Sequence, residues 1–82
     1  MKKSLFSDEY EAFCRLLRHV RAEADISQNQ LAKRLEVPQA WLSKVEGGQR
    51  RLDILELLRI CEEIGIEPEE FIARLRDVLR SL

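Results

Sequence analysis

The sequence predicts an all-α protein, a compact five-helix domain built around a helix-turn-helix. Three observations carry the prediction. Apolar residues recur at steps of three and four, the period of an amphipathic helix, rather than alternating as in a strand. Glycine and proline number only three and two, and all five stand where a helix would stop or start. Apolar residues make up 45% and charged residues 35%, the balance of a globular chain rather than a disordered one. A chain of 82 residues has material for one modest core, so residues 1–82 are read as one domain.

The first helix is expected from Ser7, as N-cap, to Ala24. Phe6, Tyr10, Phe13, Leu17, Val20 and Ala24 form its apolar stripe. The second is expected over Gln28 to Leu35. Ser27 and Gln30 make a capping box, and Leu31, Ala32 and Leu35 face inward. Pro38 then breaks the chain, because it lacks an N–H and biases Val37 away from helical geometry. The third helix is expected over Gln39 to Glu46, stopped by Gly47-Gly48. The fourth follows Asp53, which forms a second capping box with Glu56, and Gly65 ends it. Ile54, Leu55, Leu57, Leu58, Ile60, Cys61 and Ile64 leave it little polar surface, so it is expected to be mostly buried. The fifth, over about residues 68–81, opens with Pro68 between carboxylates at its positive end.

Composition removes several classes of function. No apolar run approaches the ~18 residues that span a membrane. The start, MKKSLFSDEY, has no apolar stretch of signal-peptide length, so a cytoplasmic protein is expected. Cys14 and Cys61 stand far apart in helical patterns, and His19 is the single histidine. That set predicts no metal site, no cofactor and no disulfide, but two buried, reduced thiols. With no glycine-rich phosphate loop and no nucleophile paired with a base, no enzyme is expected.

Charge is more informative by segment than in total. The net charge is -1, yet residues 27–51 carry +3 and residues 52–70 carry -6. Such asymmetry can orient a near-neutral protein on a polyanion. The basic stretch also holds the two short helices. Three residues between them force a large crossing angle, the geometry of a helix-turn-helix over about residues 27–46. With Leu31, Ala32, Leu35, Val37, Leu42 and Val45 docked inward, the third helix turns Gln39, Ala40, Ser43 and Lys44 outward. Those side chains suit base edges of double-stranded DNA in the major groove. Gln28 and Asn29 at the start of the second helix, and Gln49, Arg50 and Arg51 after the glycines, suit phosphates. Trp41 lies between the two faces, placed either to pack on the second helix or to give its indole N–H to a phosphate.

The stretch from Val20 to Phe71 resembles the Xre family, the helix-turn-helix domains of phage Cro and repressor type, with a lambda-repressor-like fold. The matching pieces are Ile26-Ser27-Gln28, Leu31-Ala32, Val37-Pro38, Leu42-Ser43-Lys44-Val45-Glu46, Gly48 and Ile64-Gly65-Ile66. The resemblance implies a structural salt bridge between Arg21 and Glu46. It departs from the family at Pro38, where serine is commoner, and at Glu36, where glycine is frequent and a negative charge can trim affinity for DNA.

A single recognition helix reads only a few base pairs, so a homodimer with two such helices about 34 Å apart is expected. The fifth helix supplies the dimer interface. Phe71 and the inner side of Leu75 complete the core, while Ile72, Leu79 and Leu82, with Leu75 at their edge, exceed its needs. The expected function is a transcription regulator, such as a repressor, that acts by occupying a pseudo-palindromic operator. An antitoxin with a toxin partner, or an adaptor using the same fold as a protein-interaction module, is the alternative.

Overall fold

The computed structural model describes residues 8–82. Its five helices are α1 (Tyr10–Glu23), α2 (Gln28–Leu35), α3 (Gln39–Glu46), α4 (Ile54–Ile64) and α5 (Pro68–Arg80). Local chemistry sets their ends. At α2, Ser27 Oγ accepts from the Gln30 N–H at 3.0 Å while Gln30 Oε1 accepts from the Ser27 N–H at 2.8 Å. Asp53 and Glu56 repeat the exchange at α4, at 2.8 and 2.9 Å. Each box satisfies two N–H groups that the first helical turn leaves without partners. Gly48 and Gly65 sit at φ +85° and +95°, where a side chain is strained, and so turn the chain out of α3 and α4.

Between α2 and α3 stand only Glu36, Val37 and Pro38. Glu36 takes the left-handed conformation, φ 60° and ψ 44°, and its N–H donates to the Ala32 and Lys33 carbonyls. A residue with a Cβ spends roughly 1–2 kcal/mol there. The Val37 N–H then closes on the Ala32 carbonyl at 3.0 Å, and Pro38 leads into α3 from an extended conformation. The chain reverses in three residues, and α3 packs across α2.

The core forms where α2 meets α3 and α4, and where α1 meets α3 and α5. Leu17, Val20, Leu31, Ala32, Leu42, Val45, Ile60, Cys61 and Phe71 are buried in it. The Phe13 ring meets Phe71 edge-on at 6.0 Å. Burial pushes both thiols, Cys14 and Cys61, above their ordinary values, and both are free.

Three expectations need correction. α4 is not mostly buried: Leu57, Ile60 and Cys61 face the core, but Ile54, Leu55 and Leu58 are 61%, 68% and 41% exposed. α4 packs on α2 and α5 along one side, and apolar composition alone does not reveal that its other side stays exposed among the described residues. The inner surface of α1 is broader than the stripe read from the sequence. α1 lies against both α3 and α5, so Ala12, Cys14 and Leu16 are buried as well, while Ala24 caps the helix in solvent. Val37 is half-buried rather than buried. Phe6 and the expected N-cap Ser7 lie outside the described residues.

Candidate nucleic-acid interface

The recognition candidate, α3, has two unlike sides. Leu42 and Val45 are sealed in the core, whereas Gln39, Ala40, Ser43 and Lys44 are exposed. Among the described residues the Lys44 ammonium takes part in no ion pair. The outer side therefore holds donors, an acceptor and a methyl group on a rigid helix.

The C-terminal end of α3 is held by a line of side chains from α1. The Cys14 Sγ–H donates to the Val45 carbonyl at 3.6 Å, and the Arg18 guanidinium donates to the Glu46 carbonyl. Arg21 grips the Glu46 side chain with two parallel bonds, Nε to Oε2 at 2.7 Å and NH2 to Oε1 at 2.9 Å. Its NH1 donates to the Ile26 carbonyl at 2.9 Å, which ties the same residue to the chain entering α2. Glu46 is only 3% exposed. A fork-to-fork pair in that setting is strong and directional, and the loss of either partner strands a buried charge. The Gln49 and Arg50 N–H groups answer the Lys44 carbonyl, at 2.9 and 3.1 Å.

Sequence reasoning missed Cys14 and Arg18. Positions 14, 18 and 21 form an i, i+4, i+7 line on α1, so the spacing was present. What it lacked was the target, because carbonyls at the end of another helix leave no mark in the sequence.

The start of α2 joins this network. Gln28 Nε2 donates to Glu46 Oε1 at 3.0 Å, and Gln28 Oε1 accepts from Gln39 Nε2 at 3.3 Å. A continuous chain of hydrogen bonds thus runs from half-buried Arg21, through buried Glu46 and half-buried Gln28, to exposed Gln39. Asn29, in the first turn of α2, is exposed.

On the far side of α3, Gln49 is exposed, whereas Arg50 is drawn towards α4. Arg50 donates through NH1 and NH2 to the two Glu56 carboxylate oxygens, at 3.1 and 2.9 Å, and to the Arg51 carbonyl at 2.7 Å. Those bonds, with the Asp53 N–H, hold the Glu56 carboxyl below its ordinary range, and Glu56 in turn raises Arg50. The Arg50 guanidinium also lies 4.8 Å from the centre of the Trp41 ring, a cation–π contact. Trp41 is half-buried and shares a cleft with Leu35, Val37 and Ile60, so its ring packs against the end of α2 and against α4. Arg51 covers the Tyr10 ring at 4.1 Å. Burial pushes the Tyr10 hydroxyl up, and that hydroxyl accepts from the Leu52 N–H at 3.3 Å.

Of the residues read as a dimer interface, Ile72 and Leu82 are exposed. Leu75 and Leu79 are half-buried and line a groove with Tyr10, Phe13 and Leu52, facing the start of α1. Among the described residues no helix is long and apolar enough to cross a membrane, and no cluster of three His, Cys, Asp or Glu side chains forms a metal site.

Two short helices at a three-residue turn, the second pinned on its inner side and open on its outer side, define a helix-turn-helix domain of the DNA-binding kind. The family model described as a helix-turn-helix domain matches residues 12–80. A solved structure described as an XRE-family like protein from Pseudomonas syringae pv. tomato str. DC3000 is 36% identical, with a TM-score of 0.82 over 90% of each chain. The chain belongs to this helix-turn-helix family, of XRE type, a regulator fold that is typically non-enzymatic. No curated protein matches it.

Proposed function

We propose that this chain is a sequence-specific transcriptional regulator that binds a pseudo-palindromic operator as a homodimer, with α3 in the major groove. The observation that carries the reading is the contrast across α3. Cys14, Arg18 and Arg21 lock its end to α1, while Gln39, Ala40, Ser43 and Lys44 stand open to solvent. A reading head needs that combination: side chains free to meet bases, on a backbone that does not move when they do.

In this reading Gln39 pairs with adenine, Lys44 with guanine O6 or N7, Ser43 with several edges, and the Ala40 methyl with a thymine methyl. The start of α2, with Gln28 and Asn29, takes a phosphate on one side. Gln49, Arg50, Arg51 and Trp41 take the backbone on the other. Arg50 already holds Glu56, so its part is the smaller.

A second copy completes the operator-binding unit. Ile72 and Leu82 of α5 support the pairing, and so do Ile54, Leu55 and Leu58 of α4, which one chain leaves uncovered. Leu58 sits in a cleft with Ile66 and Pro68, next to the start of α5, so the two helices offer neighbouring apolar surface.

Selection of binding sites from a random duplex pool, repeated at two salt concentrations, tests the proposal. The expected result is an enriched inverted repeat with half-sites about one helical turn apart, and affinity that falls as salt rises. Folded protein that enriches nothing would refute it and direct the search to a protein partner, such as a toxin, on the apolar surface of α4 and α5.

A further inference from the structure

Arg50, the first cation after the glycine turn, is fastened along its outer edge and on one face. A guanidinium carries five N–H donors. Arg50 commits NH1 to Glu56 Oε1 at 3.1 Å and to the Arg51 carbonyl at 2.7 Å, and NH2 to Glu56 Oε2 at 2.9 Å. Its guanidinium carbon lies 4.8 Å from the centre of the Trp41 ring. The carboxylate that holds it is itself anchored. Glu56 Oε1 accepts from the Asp53 N–H at 2.9 Å as half of the α4 capping box, so Glu56 stays in place if Arg50 moves. The Nε–H and the second NH2 hydrogen remain to Arg50, but they belong to a pair whose charges cancel. The two side chains are 40% and 29% exposed, so the pair is within reach of a ligand at the surface.

We propose that Glu56 competes with the DNA backbone for Arg50, holding that cation back so that the chain binds every duplex less tightly than its basic stretch would allow. The proposal rests on the reading of α3 as the base-contacting helix, with the turn after it beside a phosphate. Carboxylate and phosphate both take the two parallel N–H groups of a guanidinium edge. Arg50 cannot give the same edge to both. To grip a phosphate by it, Arg50 must leave Glu56, which then stands as an unpaired negative charge beside a polyanion. Both costs fall on the complex and neither on the free protein. A phosphate contact carries no sequence information, so the restraint acts alike on an operator and on unrelated DNA. Glu56 touches no DNA group itself and acts only through Arg50.

The test measures Kd against salt for the full chain on a duplex recovered by selection and on a scrambled duplex. It compares the parent, Arg50→Ala, Glu56→Gln and the double variant. Glutamine still caps α4 through its oxygen, but it sets an NH2 against the Arg50 NH2 and releases it. Glu56→Gln is expected to raise affinity severalfold on both duplexes and to steepen the log–log salt slope by about one, the mark of one added phosphate contact. Arg50→Ala is expected to remove about one unit of slope in the Glu56→Gln background, and less than about half a unit in the parent. Glu56→Ala carries the same expectation and replaces the glutamine variant should that fail to fold. Loss of a full unit on Arg50→Ala in the parent would show that Glu56 withholds nothing, and overturns the proposal. A gain that persists undiminished in the double variant overturns it too, since Glu56 is then only a repelling charge. So does weaker binding by Glu56→Gln, which makes Glu56 a support for Arg50. Should selection recover no duplex, the reading of the chain as a DNA binder falls first, and this proposal with it.

Discussion

The two halves of the molecule treat their apolar residues differently. In α1–α3 the inward faces close on one another: Leu31, Ala32, Leu42 and Val45 are all at most 1% exposed, and the end of α3 is tied by three side chains from α1. In α4–α5 only Leu57, Ile60, Cys61 and Phe71 are buried, and Ile54, Leu55, Leu58 and Ile72 face outward. The first half is complete within one chain. The second leaves apolar side chains exposed among the described residues, and the proposed pairing of two chains would cover them. The halves differ in charge as well, +3 over residues 27–51 against -6 over residues 52–70, so the basic stretch proposed for DNA and the acidic stretch that carries the exposed Ile54, Leu55 and Leu58 are distinct segments.

That contrast can be broken from either side. The largest effect is expected in the first half. Glu46→Ala leaves Arg21 without its partner, and stability to denaturant should fall by about 3–5 kcal/mol. A loss under about 1 kcal/mol would show that the pair is not the anchor of α3.

In the second half, Leu55→Lys and Leu58→Lys should leave helix content and unfolding nearly unchanged. Sedimentation should show the pair of chains separating, with operator affinity falling alongside. Variants that stay paired would place the contact elsewhere, on α5 alone. Smaller effects mark the ends of α2. Ser27→Ala removes one half of a capping box and should cost about 1 kcal/mol in thermal or chemical unfolding.

Glu36→Gly should have the opposite sign. It relieves the left-handed conformation at φ 60° and removes a negative charge from the turn before α3. Stability should rise by about 0.5–1 kcal/mol after the entropy that glycine adds to the unfolded chain, with DNA affinity rising too. Unfolding at lower stability than the parent would contradict it. The Arg50–Glu56 pair, which joins the halves, should be visible in pH dependence. The Glu56 carboxyl titrates below its unfolded value, chiefly through its bond from Arg50. Its stabilisation is therefore present above the ordinary carboxylate range and lost as pH falls through the lowered value. Glu56→Gln should flatten that part of the stability profile.

Helix ends were legible in the sequence because their causes are local. Ser27 with Gln30, Asp53 with Glu56, and Gly65 each act within a few residues of the end they define. The outer face of α3 was legible for a similar reason, since the period of an eight-residue helix leaves few ways to bury Leu42 and Val45. What could not be read depends on distant partners. Nothing near Arg18 says that it will meet the last carbonyl of α3, and nothing near Arg50 says that it will turn back to Glu56. α4 is the instructive failure. Its composition reads as buried, and among the described residues one side of it is exposed. Apolar composition records a helix's hydrophobicity, not which of its faces the rest of the chain covers.

The most direct test of the account takes the outer face of α3 to its operator. Gln39→Ala and Lys44→Ala are compared with the parent by quantitative binding to every single-base variant of the selected half-site. The account predicts that each substitution relaxes discrimination at its own position by about 1–3 kcal/mol and leaves the other positions and the fold as they were. Two variants that discriminate among bases as the parent does would mean that α3 does not read the sequence.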